Sequence, residues 1–169
     1  MMRVLRASAA LDLPEWMIGA GFVRNKVWDH LHGFANAEVQ TADIDLIYFD
    51  PVDVRESTEK EYDRRLRAVC NVNWSAKNQA RMHAITGDGP YASAADGLSH
   101  WVETATCVAV TLRDGELRLI APHGIGDLVG LIVRRSPTFT RDISVLRERA
   151  ESKRWLEKWP RLRLVLDQR

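Results

Sequence analysis

One stretch constrains the fold of this 169-residue chain more than any other, the run Asp43-Ile44-Asp45-Leu46-Ile47-Tyr48-Phe49. Strand side chains alternate between faces, so residues two apart point the same way. A strand here buries Ile44, Leu46 and Tyr48 on one face. It sets Asp43 and Asp45 together on the other, with Ile47 and Phe49 extending the acid face into a sheet. Two carboxylates on one face raise each other's proton affinity, so they call for a positive partner. A hard cation is the simplest one, because magnesium takes one or two carboxylates, keeps several waters and also binds substrate phosphates. An acidic strand start, with one Asp capping a neighbouring turn, is the structural alternative.

Upstream, Trp16 to Ala20 is a short apolar run that reads as a strand, and Gly21 stands where it meets Phe22 to Gly33. That second segment carries Val23, Val27, Leu31 and Phe34 three to four residues apart and ends at Gly33, which reads as a helix with a C-terminal stop. A glycine at a strand-to-helix turn lets backbone amides approach an anion, and the helix N-terminus adds oriented N–H groups and a favourable dipole. A triphosphate fits such a cradle, and a plain packing glycine is the alternative.

The rest of the chain alternates helices and strands. Glu56 to Cys70 reads as a helix with Tyr62, Leu66 and Val69 buried, Val72 to Lys77 as a strand, Asn78 to Ala84 as a helix and Gly87 to Pro90 as a loop. Ala94 to Trp101 reads as a helix, and Ala105 to Leu112 with Glu116 to Ala121 as a hairpin around Asp114-Gly115. Helices are expected at Asp127 to Val133, with Asp127 as N-cap, and at Ile143 to Trp159. An edge strand is expected at Leu162 to Leu166. Strands interleaved with helices plus one hairpin argue an α/β (α+β) fold, a mixed β-sheet flanked by helices, within a single domain over residues 1–169.

The series Ala20-Gly21-Phe22-Val23-Arg24-Asn25, Leu31-His32-Gly33 and Asp43-Ile44-Asp45 resembles the GG-x-V-R-D, L-x-G and D-x-D motifs of DNA polymerase beta-like nucleotidyltransferases, especially the head domain of CCA-adding enzymes. From about Leu13 to Leu164 the chain resembles a bacterial family of stand-alone nucleotidyltransferases of unsettled substrate. The further motifs are Trp28 to Gly33, Trp74 to His83, Glu103 to Thr106 and Ala121 to Gly124. The resemblance implies a polymerase beta-like fold and metal-assisted attack of a hydroxyl on the α-phosphate of a nucleoside triphosphate. In such sites two Mg²⁺ or Mn²⁺ ions about 4 Å apart clamp the attacking and leaving oxygens. Asp43 and Asp45 are then the catalytic metal ligands, and Gly21 and Phe22 hold the β- and γ-phosphates. Arg24, one turn into the helix, pairs with an anion or a carboxylate.

One departure stands out. The superfamily supplies a third carboxylate from the next sheet strand, and the corresponding segment here, Asn73 to Lys77, has none. Glu103 is a substitute metal ligand if the strand after it lies beside the Asp43–Asp45 strand, and an exposed loop acid otherwise. Lys77 and Arg81, four apart on a helix face, either bind phosphate, or Lys77 pairs with the Asp43–Asp45 cluster in a salt bridge and Arg81 solvates the surface.

Composition fits a globular protein, with 46% hydrophobic and 28% charged residues. The first ten residues lack the apolar core of a signal peptide, and no run approaches the ~18 apolar residues of a membrane span, so a cytoplasmic location without membrane contact is expected. Cys70 and Cys107 lack metal-ligand spacing and read as reduced, buried thiols. The net charge of +1 is unevenly spread: residues 1–133 hold 13 Lys/Arg against 18 Asp/Glu, and the remaining 36 hold 11 against 5. From about residue 134 this basic helical segment either contacts phosphates or forms a solvated face over an apolar stripe of Ile143, Leu146, Ala150, Trp155 and Trp159. The chain lacks GxSxG, GxGxxG and HExxH motifs. Three function classes follow: a nucleotidyltransferase acting on RNA, protein or a small molecule, a non-catalytic nucleotide-binding regulator, and an RNA-binding module.

Overall fold

The computed structural model describes residues 1–34 and 43–166. Its elements are α1 (Met2–Ala9), β1 (Met17–Gly19), α2 (Gly21–Leu31), β2 (Ile44–Tyr48), α3 (Glu56–Val69), β3 (Trp74–Asn78), α4 (Gln79–Thr86), α5 (Ala94–Ser99), β4 (Ala109–Arg113), β5 (Glu116–Ile120), α6 (Gly126–Val129), β6 (Ile132–Arg134), α7 (Ser144–Ser152), α8 (Trp155–Lys158) and β7 (Arg163–Val165). Five strands form a mixed sheet in the order β3-β2-β1-β4-β5, with β2 and β3 parallel and the other pairs antiparallel. β6 and β7 pair in parallel as a separate two-stranded sheet.

The alternation in β2 divides the core. Ile44, Leu46 and Tyr48 join a large cluster with α1, α2, α3 and the C-terminal helices, while Ile47 packs on the opposite face with Met17, Ala94, Leu98 and Ala109. Met17 pairs with Ile47 and Ile18 with Leu46, so the antiparallel register carries the β1–α2 turn toward Asp45 and Asp43. This pairing brings the two sequence motifs together.

Several elements depart from the sequence expectations for identifiable reasons. α3 buries Glu59 and Leu66 and leaves Val69 63% exposed, because the inward row runs 59, 62, 66 and 70. Residues 105–108 are not strand: the N–H groups of Thr106 and Cys107 turn back to the Glu103 carbonyl. The helix expected from Asp127 stops at Val129, Leu131 turns the chain at φ +57°, and the β-branched pair Ile132-Val133 starts β6. Asp127 lies inside the first turn of α6, where it accepts from Thr104 Oγ1 at 2.7 Å and pairs with Arg134, so it is not the cap. The segment Ile143 to Trp159 is two helices. Leu146 and Ala150 are four apart, as are Trp155 and Trp159, but Ala150 and Trp155 are five apart. The extra residue is absorbed at Arg154, in a left-handed conformation, so that both pairs are buried. The final strand joins β6 rather than the edge of the main sheet.

Candidate active site

Asp43 and Asp45 line one cavity of about 480 Å³ together with Ala20 and Gly21 at the start of α2. The Val23 and Arg24 N–H groups bond to the Ala20 carbonyl, and no side chain caps the helix. The conformational strain of the turn falls on Ala20, at φ +52° and ψ −129°, rather than on Gly21. A Cβ on Gly21 would lie 3.2 Å from the Asn25 amide nitrogen, a tight contact that the Asn25 side chain would have to shift to accept. The Asn25 side-chain oxygen in turn accepts from Arg24 at 3.0 and 3.2 Å. Phe22, expected at the phosphates, turns its side chain into the core, leaving its backbone to the helix start.

Asp45 is the perturbed group of the cavity. Burial first, then the neighbouring Asp43, push its carboxyl up to about 6, against the opposing pull of Arg24, Arg149 and Lys153. Asp43 is exposed and accepts a hydrogen bond from the Asn73 side-chain amide. Arg24 is only 7% exposed. Its guanidinium donates to Thr106 Oγ1 at 2.8 Å and sits over the rings of Trp155 and Trp28 at 4.5 and 5.1 Å. Burial lowers its pKa to about 10, with Glu103 opposing. Arg24 thus lines the cavity as a brace that ties α2 to Thr106 and the tryptophans.

The opposite wall comes from the C-terminal segment: Arg149, Lys153, Trp155, Lys158 and Trp159. Leu146, Ala150, Trp155 and Trp159 of the apolar stripe are buried, and three of its basic neighbours line this cavity, Lys153 exposed and Arg149 and Lys158 half-buried. Trp28, Trp155 and Trp159 meet edge to face, the Trp159 indole N–H donates to the buried Asp29 carboxylate at 2.8 Å, and Arg161 donates to the Leu31 carbonyl. These contacts pin α8 and the residues just after it to α2, about 130 residues earlier in the chain.

Lys77 and Arg81 do not reach that cavity. Both converge on Glu59, a fully buried carboxylate held by Arg81 through two 2.8 Å contacts, by Lys77 at 3.3 Å and by the Asn78 N–H at 2.8 Å. Lys77 therefore pairs with Glu59 and not with the Asp43–Asp45 cluster. Glu103 is likewise buried and held by Arg149 at 2.6 Å. The strand following Glu103, β4, is separated from β2 by β1, so the expected adjacency that would make Glu103 a metal ligand does not occur. On β3, Ser75 stands in register with Asp45 where a third acid was sought. Among the described residues no three His, Cys, Asp or Glu side chains group to hold a metal. Cys70 and Cys107 are free and buried.

A second cavity, of about 340 Å³, opens on the other side of Asp45. Asp45 and Arg149 line both cavities. The second is otherwise walled by β2, β3, α4, α5 and the segment through Trp101.

Comparisons with known proteins agree with the fold. A solved structure described as revealing a CCA-adding enzyme head domain superposes with a TM-score of 0.84 at 29% identity, covering 97% of this chain and 88% of the other. Two structures of a tRNA-processing enzyme, one apo and one a complex, match at TM-scores of 0.53 and 0.55 with 18% and 19% identity, and share the fold. The chain spans less than half the length of those two. No curated protein matches the sequence. Among the described residues no helix is long and apolar enough to cross a membrane. The nucleotidyltransferase family profile matches residues 6–164, nearly the whole chain, and this protein belongs to that family.

Proposed function

We propose that the protein transfers a nucleoside monophosphate from a nucleoside triphosphate to an acceptor hydroxyl, using Mg²⁺ or Mn²⁺. The observation that carries this reading is the meeting, in one cavity, of two carboxylates, the uncapped start of an eleven-residue helix and the cations Arg149, Lys153 and Lys158. Asp43 and Asp45 are the residues that would hold the metal. Their all-oxygen, paired-carboxylate donor set suits a hard cation, which would offset the burial and the Asp43 charge that together disfavour an ionised Asp45. When bound, the metal supplies positive charge at the phosphate oxygens.

The chain's own residues bind and orient. Backbone N–H groups at Gly21 and Phe22, with the helix dipole behind them, receive the β- and γ-phosphates. Lys153 and Lys158 add charge from the opposite wall. Arg24 is a positioning residue: through Asn25, Thr106 and the tryptophans it fixes the helix start relative to α8. A second reading, a nucleotide-binding regulator without turnover, draws on Ser75 in the place of a third acid.

Titration with a non-hydrolysable analogue of each nucleoside triphosphate tests the site. Binding is expected to require Mg²⁺, and Lys153→Ala with Lys158→Ala is expected to weaken it by about tenfold. Affinity unchanged by both substitutions removes the C-terminal wall from the proposal.

A further inference from the structure

We propose that the acceptor is a small, ring-bearing molecule with a free hydroxyl, held in the second cavity, rather than a nucleic acid. This inference rests on the nucleotidyl-transfer reading and names its acceptor class. The two cavities meet at Asp45 and differ in chemistry. The first gathers cations around the carboxylates, as a triphosphate requires. The second is lined by Ile47, Met82, Tyr91, His100 and Trp101, with the Gln79 amide as a polar contact. Its volume of about 340 Å³ matches one nucleoside- or sugar-sized body, at the small end of ligand pockets.

The charge pattern argues against a polyanion. From Met82 to Leu112, the stretch that supplies α5 and much of this wall, there is no Lys or Arg. Asp88 and Asp96 instead flank His100 at 3.9 and 3.8 Å. Two of the cations that reach the cavity, Lys77 and Arg149, are already held by the buried carboxylates of Glu59 and Glu103. The third, Arg141, is exposed at its edge and lies over the Phe139 ring. Nucleic-acid grooves combine stacking surfaces with a track of cations that displaces counterions from successive phosphates. Here the rings are present and the track is not. Tyr91 and His100, with ring centroids 4.9 Å apart and planes tilted at 44°, line the cavity with Trp101 as aromatic surface for a planar or pyranose ring.

The position accounts for the chemistry. An acceptor hydroxyl placed at the Asp45 end of this cavity faces the α-phosphorus across the carboxylate. The acceptor oxygen bonds to the α-phosphorus, the bond from that phosphorus to its bridging oxygen breaks, pyrophosphate leaves with the electron pair, and the hydroxyl proton passes to water.

The test incubates the full chain with Mg²⁺ and each α-³²P-labelled nucleoside triphosphate. The acceptors are a nucleoside, a hexose and an aromatic alcohol, a metabolite ultrafiltrate of a cell lysate, total RNA, and the protein fraction. Label in small molecules is expected. Pyrophosphate release with label only in RNA or protein overturns this inference alone, and no pyrophosphate from any mixture overturns the nucleotidyl-transfer reading and this inference with it. Met82→Trp, which fills the second cavity, is expected to cut transfer by about tenfold while nucleotide-analogue affinity stays within about twofold. Met82→Ala, which cannot overpack, is expected to raise the acceptor KM alone. Parallel loss of analogue affinity in both variants would place the nucleotide in the second cavity and overturn the assignment.

Discussion

Replacing Asp45 by asparagine is expected to stabilise the protein at neutral and alkaline pH. The unfolded carboxyl ionises near its ordinary value of 3.8, and the folded one near 6, because burial and Asp43 disfavour its charge. Between those values the native state holds a proton that the unfolded state has released, so stability falls as pH rises through the window and stays reduced above it. At ~1.4 kcal/mol per tenfold in proton affinity, the charged carboxylate costs the fold up to about 3 kcal/mol, and water in the open cavity reduces this to about 1–2 kcal/mol. Asparagine keeps the shape and removes the charge. Urea denaturation followed by the fluorescence of the six tryptophans, without divalent metal, measures the gain. It is expected to be about 1–2 kcal/mol at pH 8 and to vanish toward pH 4. Mg²⁺ is expected to stabilise the wild type and not the variant, because ligand binding to the native state alone adds stability. A variant less stable than wild type at pH 8, or a difference independent of pH, refutes the reasoning.

Three further changes probe the surroundings of the site. Ala20→Gly relieves a positive-φ alanine and is expected to stabilise by about 1 kcal/mol in the same denaturation assay; destabilisation would show that the turn is not strained. Glu59→Gln leaves Arg81 and Lys77 without their buried counter-charge and is expected to cost about 3 kcal/mol. Triphosphate-analogue affinity, measured calorimetrically, is expected to stay unchanged, and its loss would return Lys77 and Arg81 to the phosphate site. Trp159→Phe leaves the buried Asp29 carboxylate without its indole partner. A destabilisation of about 2 kcal/mol is expected, together with weaker analogue binding as the C-terminal wall loosens.

The sequence was most legible where structure is local. Alternation along β2 placed Ile44, Leu46 and Tyr48 in one core and Ile47 in the other, Asp114-Gly115 turned a hairpin at φ +53° and +80°, and Gly33 closed α2 at φ +74°. What escaped was non-local or strained. Ala20 carries the positive φ that a residue-by-residue reading assigns to glycine. The cations that line the first cavity come from helices whose position depends on Trp28 and Asp29 meeting Trp155 and Trp159 across the whole chain. Charge pattern alone leaves Arg149, Lys153 and Lys158 between a phosphate contact and a solvated face. For Lys77, Arg81 and Glu103, charge type was legible but partner was not, because Glu59 and Arg149 reach them only through tertiary packing.

The central claim is that Asp43 and Asp45 serve nucleotidyl transfer. Its most direct test follows pyrophosphate release and transfer of ³²P from α-labelled nucleoside triphosphates in Mg²⁺ or Mn²⁺, comparing wild type with Asp43→Ala/Asp45→Ala. Transfer by the wild type and its loss in the double variant are expected. Transfer at the wild-type rate without the two carboxylates would contradict that claim.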